Sequence, residues 1–119
     1  MSKTVFVVDD SATNLAMAER ALGDGYRVLT FSSADKMFPV LQKVIPDLIL
    51  LDIEMPGTNG FEAMRQLKAI DTLSKIPIIF LSALNDAENE AYGIELGAAG
   101  FIAKPFSESE LLDKIKPLI

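Results

Sequence analysis

Four apolar runs in this chain each lead into polar residues with chemical capability. Val5–Val8 runs into Asp9 and Asp10, Leu48–Leu51 into Asp52, Ile78–Leu81 into Ser82, and Phe101–Ala103 into Lys104. Three carboxylates, a hydroxyl and an ammonium suit a divalent cation and a phosphoryl group. If the runs are parallel strands, all five residues stand at the strands' carboxyl ends, where open α/β sheets form their binding crevice.

Each residue also has an ordinary structural reading. Two adjacent acids after Val7-Val8 continue a strand poorly and repel if buried together without a cation. One of them could cap a helix beginning near Ser11 or Ala12, which leaves the second unexplained. Asp52 could be a turn former ahead of Met55-Pro56-Gly57. With Asp9 and Asp10 on a neighbouring strand end, an oxygen-rich Mg²⁺ site is the better account, since Mg²⁺ takes few carboxylates and shares phosphate oxygens. Lys104 by itself reads as a solvated surface lysine. Near three acids it has a partner and can steady a transferring phosphoryl group. Ser82 reads as a helix cap or as a donor to a phosphoryl oxygen. Gly57 and Gly60 serve the loop after Asp52, and turn chemistry explains them equally well.

Composition removes many alternatives. The chain of 119 residues has no Cys and no His. Disulfides, thiolate sites, imidazole ligands, Ser-His-Asp triads and a phosphohistidine on this chain are therefore excluded. The net charge is −6 and no run of Lys or Arg occurs, so no nucleic-acid surface is expected. No apolar stretch approaches the ~18 residues of a membrane span. The N-terminus leads directly into a strand pattern, without room for a signal peptide, and a cytoplasmic location is expected. There is no Walker A pattern, and Gly93-x-x-x-Gly97 followed by Gly100 ends a helix, unlike a dinucleotide fingerprint. Met17, Met37, Met55 and Met64 read mostly as core residues.

The elements that must position these groups follow from apolar patterning. Residues 3–8, 26–31, 47–51, 77–81 and 100–103 are short apolar runs with little alternation, as in strands buried on both faces of a parallel sheet. Helical spacing lies between them. The expected inward residues are Leu15, Ala18, Ala21 and Leu22 in the first helix, and Met37, Val40, Leu41 and Val44 in the second. The third offers Phe61, Met64, Leu67 and Lys68, with Ile70 nearby. The fourth offers Ala87, Ala91, Ile94 and Leu96. The fifth opens with a Ser107-to-Glu110 capping box and presents Leu111, Leu112 and Ile115. Pro39 predicts a short or irregular second helix, since an interior Pro costs roughly 3 kcal/mol. Pro77 is expected to open the fourth strand. Five βα units with right-handed crossovers make a single doubly wound, three-layer α/β domain.

Taken together, Val5-Phe-Val-Val-Asp-Asp10, Asp47-Leu-Ile-Leu-Leu-Asp-Ile-Glu-Met-Pro-Gly57, Gly60 and Lys104-Pro105-Phe106 resemble the receiver domains of bacterial two-component response regulators. The resemblance covers the whole chain, residues 1–119, and implies a flavodoxin-like fold with strand order 2-1-3-4-5. It implies that Asp52 accepts a phosphoryl group from a histidine kinase or a histidine phosphotransfer protein. It also implies direct Mg²⁺ (or Mn²⁺) ligation by Asp10, Asp52 and the backbone carbonyl of Glu54, with Asp9 acting through water. Ser82 and Lys104 would contact the phosphoryl group, and Lys104-Pro105 would be a cis peptide. The chain would not be a conventional enzyme, although it would catalyse its own phosphorylation and dephosphorylation.

A phosphoryl group adds roughly −1.5 to −2 charge. By the resemblance, Ser82 and Lys104 would move toward it, carrying the segment between the fourth strand and fourth helix. Phe101 would take the place of a coupled aromatic, held by packing alone because it lacks the hydroxyl of Tyr. The implied readout is a two-state shift of the surface made by the fourth helix, fifth strand and fifth helix, with a phosphorylation-dependent homodimer as one partner. Ala99 and Gly100 stand where dimerising transcription-factor receivers commonly carry Asp. Glu54 and Ala83 fall at positions associated with dephosphorylation rate. The effector or target is unread, and the apolar ending Lys116–Ile119 slightly favours a domain excised from a longer regulator. Two other functions compete. A Mg²⁺-dependent phosphatase would commonly carry Asp-x-Asp and a cap, whereas this chain has Asp52-x-Glu54 and no long insertion. A binding scaffold of the same fold would usually have lost its acceptor or acid pair, and here both are present.

Overall fold

A strand whose every residue is apolar must be covered on both faces. The computed structural model, which describes residues 3–83 and 87–119, has that arrangement. Strands β1 (Lys3–Val8), β2 (Tyr26–Phe31), β3 (Leu48–Asp52), β4 (Ile78–Ala83) and β5 (Gly100–Lys104) alternate with helices α1 (Ala12–Leu22), α2 (Ala34–Leu41), α3 (Gly60–Lys68), α4 (Ala87–Leu96) and α5 (Glu108–Ile115). The strands pair in parallel in the order β2-β1-β3-β4-β5, the flavodoxin-like order expected.

Successive strand residues point to opposite faces, so the sheet divides its apolar side chains between two cores. Val5, Val7, Leu48, Leu50, Ile79 and Leu81 pack with Ala18 and Leu22 of α1 and Leu111 and Ile115 of α5. Phe6, Val8, Ile49, Leu51, Ile78 and Phe80 pack on the other face with Met37 and Leu41 of α2 and Ala63, Met64 and Leu67 of α3. Burying each large side chain contributes roughly 1.5–3 kcal/mol. The central strands are therefore the rigid floor from which the polar ends project. Four helices begin at a side-chain cap, on Ser11, Ser33, Asn59 and Ser107, and Glu110 completes the capping box of α5.

The structure corrects several local expectations. Strands β3, β4 and β5 run one or two residues further than their patterns predicted, so Asp52, Ser82 and Lys104 lie inside the ladder. Pairing of Asp52 with Leu81 and of Ala83 with Lys104 fixes their backbones. Ser82 is thus a strand residue and not a helix cap. Pro77 stands just before β4, although its carbonyl already accepts the Ile49 N–H at 3.0 Å. Helix α2 is short, at eight residues, and contains Pro39. Ile70 falls beyond α3 and is exposed, while Leu73 and Ile76 fill the core there.

Helix α4 presents a different face from the one expected. Ala87, Ala91 and Ile94 point outward, with Ile94 58% exposed, and Gly93 is the buried residue. The reason lies beneath the helix. A Cβ on Gly93 would come within 2.4 Å of Phe101 Cζ and 3.0 Å of Phe80 Cδ2. The two rings fill the space an apolar stripe would need, so α4 approaches the sheet through its glycine. The proposed moving segment between β4 and α4 includes residues 84–86, which lie outside the described residues.

Candidate functional site

The site begins where β1 leaves the sheet. Asp9 is fully buried, and its backbone N–H still donates to the Phe31 carbonyl, so the β1–β2 pairing holds it in place. Its Oδ1 accepts the Ser11 N–H at 2.9 Å, and Oδ2 accepts the Asn14 Nδ2–H at 3.2 Å. Ser11, not either acid, caps α1, its Oγ accepting the Asn14 N–H at 3.3 Å. Asp9 instead supports that cap from behind, while Asp10 remains exposed.

Asp52 ends the adjacent strand β3 and is 2% exposed. Its Oδ1 accepts the Lys104 Nζ–H at 2.8 Å and the Glu54 N–H at 3.3 Å. The turn-forming reading of Asp52 is thus also realised. Its Oδ2 is buried and has no hydrogen-bond partner among the described residues. Lys104, at the end of β5, crosses over β4 to bridge Asp52 and Asp9, 3.2 Å from Asp9 Oδ2. Ser82 on the intervening strand is buried, and its Oγ makes one long contact of 3.5 Å with the Ala83 carbonyl. These groups surround a cleft of about 490 Å³ lined by Asp10, Asn14, Asp52, Glu54, Ser82 and Lys104.

The loop after β3 gives the cleft its other wall. Gly57 has φ +78°, a left-handed conformation that side chains disfavour. Gly60 starts α3 against the end of β3 and donates its N–H to the Ile53 carbonyl at 2.9 Å. The Lys104–Pro105 bond is cis.

Burial raises the Asp52 carboxyl to about 6, with Asp9 and Asp10 adding to the rise, against the opposing pull of the Lys104 hydrogen bond and charge. Burial also disfavours charged Lys104. Its hydrogen bond to Asp52 and the charges of Asp9 and Asp52 outweigh that effect and hold its pKa above the ordinary lysine value. Three carboxyl groups face one ammonium. Carboxylate oxygens of Asp9, Asp10 and Asp52 lie within 4.8 Å of one another. With the unpartnered Asp52 Oδ2, this hard-oxygen set can hold a metal ion of the Mg²⁺ class.

The structure therefore gathers Asp9, Asp10, Asp52, Ser82 and Lys104, with Glu54 exposed at the mouth. Phe101 sits apart, its ring centroid 5.5 Å from that of Phe80 and its edge under Gly93. Two cleft residues were missed in the sequence, Asn14 and Asn89. Asn14 carried a signal, three residues after a Ser in a helix-start pattern, where a capping box would place Glu or Gln. Asn89 sits on the α4 face that apolar periodicity concealed.

Residues 5–116 match the family described as the response regulator receiver domain. The phosphate regulon transcriptional regulatory protein PhoB of Pseudomonas aeruginosa is 39% identical over 120 residues, covering 100% of this chain and 52% of that protein. The response regulator PleD of Caulobacter vibrioides is 34% identical over 99% of this chain and 26% of its own length. The chain thus spans from about a quarter to half of these curated relatives. Among solved structures, the chemotaxis protein CheY4 of Vibrio cholerae superposes with a TM-score of 0.93, at 29% identity and full coverage of both chains. The chain belongs to the response regulator receiver family. It is a phosphorelay signalling domain of the class that works by aspartate phosphorylation, and such domains act between histidine kinases and effectors. Among the described residues, no helix is long and apolar enough to cross a membrane.

Proposed function

We propose that residues 1–119 form one cytoplasmic receiver domain that accepts a phosphoryl group on Asp52 from a phosphohistidine of a sensor kinase or phosphotransfer protein. The observation that carries this reading is the Lys104 bridge, which joins Asp52 to Asp9 and leaves Asp52 Oδ2 buried and without a partner among the described residues. A carboxylate with one oxygen oriented and the other unclaimed, at the floor of a cleft, is a poised nucleophile. It attacks phosphorus, forming the acyl phosphate as the phosphorus–nitrogen bond to the donor imidazole breaks. Asp10, Asp52 and the Glu54 carbonyl would hold Mg²⁺ or Mn²⁺ directly, with Asp9 acting through water. The bound ion would supply charge neutralisation for the incoming phosphoryl oxygens.

Ser82 and Lys104 then turn to the phosphoryl oxygens, and the ammonium offsets their negative charge. Loss of the Lys104 bridge, coupled to packing around Phe101, biases the α4-β5-α5 surface toward an effector. The domain catalyses the formation and hydrolysis of its own acyl phosphate without being a conventional enzyme.

Intact mass after incubation with Mg²⁺ and a small acyl-phosphate donor tests the acceptor. One labile phosphoryl adduct is expected on the wild type and none on Asp52→Asn. An adduct on both would place the acceptor elsewhere. No adduct on either, with Mg²⁺ binding demonstrated separately, would favour the scaffold reading or a strict requirement for the cognate kinase. Asp10→Ala is expected to weaken Mg²⁺ binding by about tenfold or more, measured by isothermal titration. Unchanged affinity would place the ion away from Asp10.

A further inference from the structure

The N-terminus of α1 departs from the capping chemistry the same chain uses at α5. At α5, Glu110 occupies the third helical position and its carboxylate accepts the Ser107 backbone N–H, while Ser107 Oγ accepts the Glu110 N–H. At α1, Ser11 and Asn14 stand in the same two positions, and Ser11 Oγ accepts the Asn14 N–H. The return bond is missing, because the Ser11 N–H donates to Asp9 Oδ1 instead. The Asn14 side chain is thereby released from capping, and its Nδ2–H donates to Asp9 Oδ2 at 3.2 Å. A Glu here would bring a fourth carboxylate toward Asp9, Asp10 and Asp52. An amide supplies a donor without charge.

Asp9 Oδ2 has two donors, Asn14 Nδ2 and Lys104 Nζ, each at 3.2 Å. Under the phosphoacceptor reading above, on which this inference rests, Lys104 leaves Asp9 and Asp52 to meet the phosphoryl group. Asp9 is fully buried, and a buried carboxylate stripped of a donor is costly. Asn14 is the side chain that stays. We infer that Asn14 is a positioning residue: it holds Asp9 in place through phosphoryl transfer and so releases Lys104 for the phosphoryl oxygens. Without it, Lys104 is the one donor left on Asp9 Oδ2 among the described residues, and the lysine is retained in the resting bridge.

The test compares wild type, Asn14→Leu, which has similar size and no donor, and Asn14→Gln, which restores a donor. Two readouts are used, the Mg²⁺ affinity of the unphosphorylated protein by calorimetry and the rate of adduct formation from a small acyl phosphate across Mg²⁺ concentration. Loss of a residue that orients a metal-site carboxylate costs about 10-fold or more in affinity or activity. Asn14→Leu is expected to lose about tenfold in Mg²⁺ affinity and about tenfold in the maximal rate at saturating Mg²⁺, with Asn14→Gln recovering part of both. A residue that only supported the start of α1 would lower the melting temperature and leave both quantities unchanged, which would overturn the inference. A wild type that forms no adduct counts against the phosphoacceptor reading or shows a strict requirement for its kinase. In that case the calorimetric arm still decides, since equal Mg²⁺ affinity in wild type and Asn14→Leu would show that Asn14 does not position Asp9.

Discussion

Asp52→Asn is expected to be more stable than the wild type at pH 7.5 without Mg²⁺, by roughly 3 kcal/mol, with the gain vanishing near pH 4. Asn is close in shape to a protonated Asp, so the variant mimics the form that the buried site prefers. Asp52 titrates near 6 in the folded protein because burial, Asp9 and Asp10 together outweigh Lys104. In the unfolded chain it titrates in the ordinary carboxylate range. Below that range both states are protonated and Asp52 contributes nothing. As the pH rises toward about 6 the unfolded chain releases its proton first, so stability falls with pH over this window and is level above it. The raised Lys104 pKa is the other side of the same bridge to Asp52. It contributes stability below the ordinary lysine range that is lost at strongly alkaline pH, outside the compared window. Urea denaturation of both proteins between pH 4 and 8 reads the difference directly. Mg²⁺ should reverse the ranking. At one thousand times its dissociation constant a ligand stabilises by roughly 4.1 kcal/mol, and only the wild type keeps the full ligand set. Parallel pH profiles for the two proteins would mean that Asp52 is not the strained carboxylate of the site.

The strand-end chemistry was legible because parallel strands buried on both faces leave a simple pattern. Val5–Val8, Leu48–Leu51 and Ile78–Leu81 are apolar throughout, so the first polar residue after each marks the sheet's edge. Their exact ends were not legible, since Asp52 and Ser82 keep their backbone in the ladder while their side chains face the cleft. Helix α4 was misread for a physical reason. Its burial depends on what lies beneath it, and the rings of Phe80 and Phe101 accept a glycine there and no side chain. Apolar periodicity then pointed to Ala87, Ala91 and Ile94, which are exposed. Asn14 escaped because its role is a side-chain bond back across the helix start, set by Asp9 having taken the Ser11 N–H. The acids, Ser82 and Lys104 were recoverable from type and position. The hydrogen bonds that orient them required the fold.

Gly60→Ala is expected to cost about 3 kcal/mol or more and to abolish the stabilising response to Mg²⁺. An added Cβ would lie 2.4 Å from the Asp52 carbonyl oxygen and 2.8 Å from the Ile53 Cα. Both contacts are backbone, so no rotamer change can relieve them. Either α3 withdraws from the end of β3 or β3 itself moves, and packed interiors resist both. Each response disturbs the site, because Gly60 N–H donates to Ile53 and the displaced carbonyl belongs to Asp52. Gly25→Ala is the matched control. Nothing lies within 4 Å of a Cβ there and its φ is not left-handed, so stability should be unchanged or raised by roughly 0.4–1 kcal/mol through the unfolded chain. Urea midpoints for the two variants, with and without Mg²⁺, separate a general loss of glycine flexibility from a local clash at the acceptor strand. Equal midpoints for Gly60→Ala and wild type would mean that α3 can shift on β3 without cost, and the placement of Asp52 would then rest on its pairing with β4 and on the Lys104 bridge.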